Sequence, residues 1–157
     1  IFMKSPKNCT NILLVGLDSK FNTAVAEQLA LRLQMHYTSC EDIVQYQVQE
    51  RDLILQRVGV AYLKKREKSA LKECAGYIDC VLSIGFELFK ENFKLFSQSV
   101  ICYLKLGKEF IDEVKSKIAY DERNQFLEEN SHTTITLQNK DKKQASKKLI
   151  EILGELL

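Results

Sequence analysis

Short apolar segments alternate with segments of helical periodicity along almost the whole chain, and this alternation limits the possible fold more than any other feature. Residues 79–84 and 99–104 are apolar nearly throughout, which is typical of strands covered on both faces of a sheet. Strands that alternate with helices form βαβ units, so the order predicts an α/β fold with a mainly parallel sheet. The predicted strands are Asn11–Gly16, His36–Ser39, 79–84, 99–104 and Thr133–Leu137.

Apolar residues at helical spacing predict helices between these strands. Val25, Leu29 and Leu33 form the apolar stripe of the first helix. A break is expected near Gly59, and another near Tyr120. The remaining predicted helices are 43–57, 61–75, 87–96, 108–130 and 142–156.

Composition bounds the class of protein. At 157 residues and 18.1 kDa, the chain is expected to form a single domain, 1–157. A net charge of +2 with interspersed signs argues against nucleic-acid binding, and no apolar run is long enough to span a membrane.

The five cysteines are odd in number and include no C-x-x-C pair, which favours reduced thiols in a cytoplasmic protein. Only His36 and His132 are present, so a structural metal site is not expected. The cysteines are Cys9, Cys40, Cys74, Cys80 and Cys102.

Residues 12–23, ILLVGLDSKFNT, have the strand–loop–helix order of the phosphate-binding signature G-x-x-x-x-G-K-[ST]. Counting from Gly16, the second glycine position is Phe21, the lysine position is Asn22 and the hydroxyl position is Thr23. Only the first glycine and the hydroxyl residue match the signature. The sequence therefore predicts a degenerate phosphate loop.

Each substitution in this loop has a physical consequence. A phosphate cradle needs bare backbone N–H groups, so the Phe21 ring would crowd it, and Asn22 lacks the charge that spans the phosphates. Asp18 either repels phosphate or, as we prefer, caps the following helix. Lys20 is the cation that would have to compensate, and Thr23 is either a Mg²⁺ ligand or an ordinary first-turn helix residue.

Across residues 11–157 the chain resembles the shikimate kinase family of small P-loop kinases. The resemblance lies in the order and spacing of degenerate motifs more than in identity. Six motifs of the family have counterparts in this chain. They are the phosphate loop at 12–23, the F-x-D-x-D strand end at 37–41, the G-E-x-x-F-R-x-x-E helix at 59–67, the triple glycine at 85–87, the V-V-x-L strand at 101–104 and the E-R pair at 122–123. The resemblance implies a three-layer fold with a five-stranded sheet in the order 2-3-1-4-5. It also implies transfer of the ATP γ-phosphate to the 3-hydroxyl of shikimate, with Mg²⁺.

The residues that the family uses on phosphate, metal and acceptor are also altered. The glycine before Lys20 in the family loop is Ser19, the metal and acceptor aspartate is Ser39, and the second aspartate is Glu41. Thr23 and Ser39 would be the family's Mg²⁺ positions. The substrate arginine is Lys64, which offers a point charge in place of a bidentate fork.

Two features at the acceptor side match the family more closely. Gly85 keeps the first of the three glycines, and Arg123 matches a substrate arginine. No R-P-L motif precedes Glu122, so the lid is expected to be reduced or absent, together with the water exclusion that a lid provides.

We therefore expect a shikimate-kinase-like protein that is catalytically inactive, with no catalytic residues, no cofactor and a binding or regulatory role. Its candidate site for a small anionic ligand or a protein partner is Glu41, Lys64, Gly85 and Arg123. Two alternatives stay open. One is a divergent active kinase that uses ATP and Mg²⁺, and the other is an interaction module with no ligand. The aromatic stretch 86–96 is expected to pack in the core, with an exposed partner surface as its alternative.

Overall fold

The computed structural model describes residues 11–111 and 116–156. Its centre is a five-stranded parallel sheet in the order β2-β3-β1-β4-β5, which confirms the predicted fold class and strand order. The strands are β1 (Asn11–Gly16), β2 (His36–Ser39), β3 (Cys80–Gly85), β4 (Ser99–Leu106) and β5 (Thr133–Leu137). Three of the five strands have the bounds expected from the sequence, and the other two are shifted or extended by one or two residues.

Helices cover the sheet, and their bounds follow the apolar periodicity except at two places. They are α1 (Ser19–Leu33), α2 (Cys40–Gln47), α3 (Arg51–Arg57), α4 (Val60–Ala75), α5 (Phe86–Asn92), α6 (Lys117–Glu129) and α7 (Lys142–Leu156). Short 3₁₀ helices follow α5 at Phe93–Phe96 and β4 at Lys108–Phe110. Among the described residues, none of these helices has the length and apolar content needed to cross a membrane.

The first difference concerns residues 43–57, which were expected to form one helix. The chain instead leaves α2 at Val48 and re-enters a helix at α3. Val48 is buried, and Glu50 takes a left-handed φ of 57°, so the backbone turns here to bury an apolar side chain. The break at Gly59 occurs as expected, with a φ of 111° that favours glycine.

The second difference lies between β4 and α6. The expected helix 108–130 is replaced by a 3₁₀ turn and by α6, and Tyr120 lies inside α6 instead of at a break. Ser116 caps α6 by accepting a hydrogen bond from Ala119 N at 3.1 Å. The helix therefore begins at Lys117, three residues before Tyr120. Residues 112–115 and the predicted thiol Cys9 lie outside the described residues.

The core is built around β1, which is buried along its whole length between β3 and β4. The aromatic stretch 86–96 packs into this core, as expected. Phe86, Phe89 and Phe96 are buried, and Phe126 from α6 meets Phe86, Phe89 and Phe93 edge-on at centroid distances of 6.0, 6.1 and 5.4 Å. The carboxyl ends of β1 and β3 therefore have a rigid support.

Candidate functional site

The carboxyl ends of β1 and β3 lie side by side, with Gly16 in register with Gly85. In open parallel sheets, ligands bind beyond the carboxyl ends of the strands, where the strand order reverses. The amino ends of α1, α2 and α5 meet at this edge. The predicted phosphate-loop positions and the predicted acceptor positions Ser39, Glu41 and Gly85 therefore lie at one edge of the sheet.

The segment after β1 forms a helix where a phosphate-binding loop would wrap around its ligand. Only Leu17 and Asp18 separate Gly16 from α1, which begins at Ser19. Asn22 N donates to Asp18 O at 2.9 Å, so the first helical hydrogen bond already closes here. The predicted positions 19–23 are all helical residues.

Asp18 satisfies the free amino end of α1. Its Oδ1 accepts a hydrogen bond from Phe21 N at 3.0 Å, which confirms the helix-cap interpretation. Its Oδ2 forms an ion pair with Lys140 Nζ at 2.7 Å, and the Asp18 side chain is only 14% exposed. A helix amino end attracts anions because its N–H groups are unpaired and its dipole is positive. In this chain the anion at that position is a carboxylate of the protein itself.

Asn22, at the lysine position, is a buried structural residue that is 1% exposed. Its Nδ2 donates to Gly16 O at 3.0 Å and to Ile84 O at 3.3 Å, so it ties α1 to the ends of β1 and β3. A methyl group on Gly16 would lie 2.5 Å from Asn22 Oδ1 and 3.0 Å from Leu104 O. The surviving glycine of the signature therefore leaves room for the Asn22 amide.

Phe21, Lys20 and Thr23 have separate environments. Phe21 is 5% exposed and belongs to the hydrophobic core, so the side chain that meets Gly16 is Asn22 and not the Phe21 ring. Lys20 is exposed on the first turn of α1, and Thr23 is half-buried in the same helix.

The family's metal positions do not fit Mg²⁺ in this chain. Ser39 Oγ accepts a hydrogen bond from Asp42 N at 3.3 Å as the cap of α2, and it supplies no carboxylate. Thr23 lies one helical turn past the start of α1 with the neutral Asn22 beside it. Mg²⁺ in kinases needs carboxylate and phosphate oxygens, so we derive no chemical step through this metal or ATP.

A cleft of about 590 Å³ opens beside this edge, between α2, α4, α5 and α6. Ser19, Glu41, Gly85 and Arg123 all line it, so the structure brings these four predicted residues together. Glu41 Oε2 accepts a hydrogen bond from Gly85 N at 2.8 Å. Burial raises the pKa of the Glu41 carboxyl, although the Gly85 hydrogen bond acts in the opposite direction.

Both arginines of the cleft already have acidic partners. Arg123 pairs with Glu87 at 3.3 Å and lies over the Phe86 ring at 4.9 Å. Arg51 pairs with Glu67 at 2.7 Å. Sequence reasoning missed Arg51, which opens a helix that was not expected to begin there. Glu67 occupies the last position of the family's G-E-x-x-F-R-x-x-E motif, and this match could have identified Glu67 as a residue of the cleft.

Lys64 does not join the other candidates. It pairs with Glu91 at 3.2 Å and lines a neighbouring depression with Lys65 and Lys68, instead of the cleft that holds Arg123. The cleft is lined by four glutamates and two arginines, and both arginines are paired. The glutamates are Glu41, Glu67, Glu87 and Glu91. The cleft thus carries a net acidic lining.

Comparison with solved structures gives the same fold over nearly the whole chain. Shikimate kinase from Aquifex aeolicus superposes with a TM-score of 0.72 at 16% identity, covering 92% of this chain and 96% of that one. This chain has the shikimate kinase fold. Shikimate kinase from Acinetobacter baumannii, in complex with shikimate, gives 0.67 at 18% identity with 95% of each chain covered. A gluconokinase from Sinorhizobium meliloti gives 0.58 at 11% identity, covering 96% of this chain and 95% of that one.

The comparisons with sequences are negative. No protein-family model matches the chain, and no curated protein matches it. At identities below 20%, these matches show that the backbone fold is shared. The chemistry of the site has to be argued from the residues of this chain.

Proposed function

We propose that this chain is a shikimate-kinase-like domain that has lost phosphoryl transfer and acts by binding. The observation that carries the proposal is the position of the Asp18 carboxylate. It caps α1 at the place where a phosphate would meet the helix amino end, and Lys140 holds it there. A phosphate would have to displace this carboxylate or bind beside it against charge repulsion.

The state of Asn22 supports the same proposal. Phosphoryl transfer is accelerated mainly by positioned positive charge, supplied by the loop lysine and by Mg²⁺. Asn22 is neutral, buried and bonded to Gly16 O and Ile84 O, so it cannot reach out to a nucleotide. Ser39 caps α2, and its hydroxyl group offers no negative charge to a metal ion.

A reduced lid remains part of the proposal. Only residues 107–116 separate β4 from α6, and no R-P-L motif occurs there. Without a lid, a transferred phosphoryl group would be open to water.

The charge of the cleft favours a basic group of a protein partner over a small anion as its occupant. Four glutamates line it, and the cations Arg51 and Arg123 are already paired. An anion would have to break an arginine–glutamate pair and would meet a net negative lining. A lysine or arginine side chain would be attracted by that net charge, and it would share glutamates of which three already pair with Arg51, Lys64 and Arg123. Lys64, expected to help hold an anion, lies outside this cleft.

Thermal unfolding in the presence of ligand tests the loss of phosphoryl transfer. We expect no rise in melting temperature with Mg-ATP, Mg-ADP or inorganic phosphate at millimolar concentration. A ligand present at 100 times its dissociation constant stabilises a protein by about 2.7 kcal/mol, which is readily measured. A nucleotide-dependent rise would overturn the proposal in favour of a divergent active kinase.

Asp18→Asn is the matched variant, because asparagine keeps a cap acceptor and removes the charge. If carboxylate repulsion alone excluded phosphate, this variant would gain a response that the wild type lacks. No response in either protein is expected, because the asparagine would still cap α1 in the place of a phosphate and the buried, neutral Asn22 supplies no charge to hold one. A rise with shikimate but not with nucleotide would support a small-molecule binding role in place of a protein partner.

A further inference from the structure

Two cysteines from different helices are in contact in the hydrophobic core. Cys40 opens α2, and Cys74 lies in the last turn of α4. Their Sγ atoms are 3.7 Å apart, and both side chains are fully buried. The two cysteines are 34 positions apart in sequence, so this is a tertiary contact that spacing alone does not reveal.

The hydrogen bond between the two thiols makes them chemically unequal. It lowers the pKa of Cys74 and raises the pKa of Cys40, whose burial acts in the same direction. The thiolate is the form of a cysteine that attacks an electrophile, and a second cysteine in contact with it resolves the product after losing its own proton. The pair thus has a nucleophile and a resolving group in contact.

We propose that Cys40 and Cys74 form a reversible oxidation site that takes a small peroxide and closes to a disulfide. The Cys74 thiolate attacks one peroxide oxygen, the O–O bond breaks, and hydroxide leaves with a sulfenic acid at Cys74. The Cys40 sulfur then attacks the Cys74 sulfur, the S–O bond breaks, and water leaves as the S–S bond forms. In total, two thiols and one hydrogen peroxide give one disulfide and two waters.

Burial of the pair selects the oxidant. Both side chains are fully buried, which slows attack by any oxidant and excludes a bulky disulfide such as oxidised glutathione, so the proposed oxidant is hydrogen peroxide, which is close to water in size. The other described cysteines lack this arrangement. Cys80 Sγ donates to Val81 O at 3.7 Å, and burial in β4 raises the pKa of Cys102 to about 12.

The disulfide would act on the cleft through its walls. Cys40 is followed directly by Glu41, which holds Gly85 N, and α4 carries Glu67 on the facing wall. A covalent bond between the start of α2 and the end of α4 would fix these two helices relative to each other. The inference concerns the thiols alone and does not depend on the loss of phosphoryl transfer.

Peptide mapping of the full chain tests the proposal. The reduced protein is treated with hydrogen peroxide, quenched with an alkylating reagent, digested without reductant and examined by mass spectrometry. We expect one linked peptide pair, Cys40 with Cys74, a loss of two hydrogens from the intact mass, and full reversal by dithiothreitol. The oxidised protein should remain monomeric on a non-reducing gel and melt about 5–10 °C higher, because the crosslink restricts the unfolded chain.

Single serine variants supply the controls. Cys80→Ser and Cys102→Ser should form the same linkage at the wild-type rate, whereas Cys40→Ser should stop at oxidised Cys74 without a crosslink. A linkage from Cys74 to Cys80, or recovery of Cys40 and Cys74 as alkylated thiols under conditions that oxidise free cysteine, would overturn the proposal. The wild-type map decides the question even where Cys40→Ser does not fold, and nucleotide titrations have no bearing on it.

Discussion

Replacement of Asp18 by alanine is expected to destabilise the protein by about 2 kcal/mol. Three losses add up to this figure. The cap hydrogen bond from Phe21 N at 3.0 Å is worth about 1 kcal/mol. A negative charge at the helix amino end adds about 0.5 kcal/mol. The ion pair with Lys140 adds about 0.5 kcal/mol, a small value because the lysine side chain is 39% exposed.

A nested set of variants separates these losses. Asp18→Asn keeps the cap acceptor and loses only the charge, so about 1 kcal/mol of destabilisation is expected. Lys140→Ala removes the ion pair with Asp18 and leaves the helix cap in place, and about 0.5 kcal/mol is expected for that contact. The order of stability should therefore be wild type, Lys140→Ala, Asp18→Asn and Asp18→Ala.

Urea unfolding at neutral pH measures the series, with an unchanged m value as the check that only stability has changed. For a chain of this size, 2 kcal/mol corresponds to a fall in melting temperature of about 4–8 °C. High salt should reduce the Lys140→Ala effect, since the pair is partly exposed. A loss below about 0.5 kcal/mol for Asp18→Ala would refute the assignment of Asp18 as the internal anion of α1.

Three further predictions concern the loop, the cleft and the aromatic core. Asn22→Lys, which restores the signature lysine, should lower the free energy of unfolding by more than about 3 kcal/mol, because it buries a charge where an amide now bonds Gly16 O; nucleotide-dependent stabilisation of this variant would contradict that reasoning. For Glu41, whose pKa is raised from 4.5 by burial, folding favours the protonated form, so its contribution to stability is greatest in acid and falls as pH rises through the raised pKa. Urea unfolding of Glu41→Gln and wild type between pH 4 and pH 8 should show the variant gaining relative stability as pH rises, and a constant difference would disprove it. Phe126→Ala should lower the free energy of unfolding by about 2–4 kcal/mol, measured by calorimetry, because it removes three edge-on ring contacts. A loss near zero would mean that these contacts do not stabilise the fold.

The strands and the main helices could be predicted because their signals are local, whereas the strand order was predicted from the resemblance to the shikimate kinase family. The buried strands β1, β3 and β4 are nearly continuous apolar runs, and such runs admit few other structures. The helix 43–57 was wrong because apolar periodicity continues across residues 48–50, while burial of Val48 turns the backbone there. Periodicity reports which residues are apolar and carries no information about where the chain must bend.

At the candidate site, the sequence identified the altered positions but not their contacts. Asp18 could be assigned as a helix cap because capping is a local pattern, yet its partner Lys140 lies more than a hundred residues away. Lys64 and Arg123 were expected to act together as cations, and the structure separates them and pairs each with a glutamate. Ion pairing depends on which helices meet, so spacing along the chain could not predict it.

The sequence by itself determined the alternation of strands and helices and the absence of the glycine and lysine that a phosphate loop requires. These follow from side-chain chemistry and local backbone preference. Tertiary structure decided what stands in their place. It placed a carboxylate held by Lys140 at the start of α1, the Asn22 amide between β1 and β3, and two thiols in contact between α2 and α4. The physical reason is that each of these groups is completed by a partner from a distant segment, which only the packed fold brings within bonding distance.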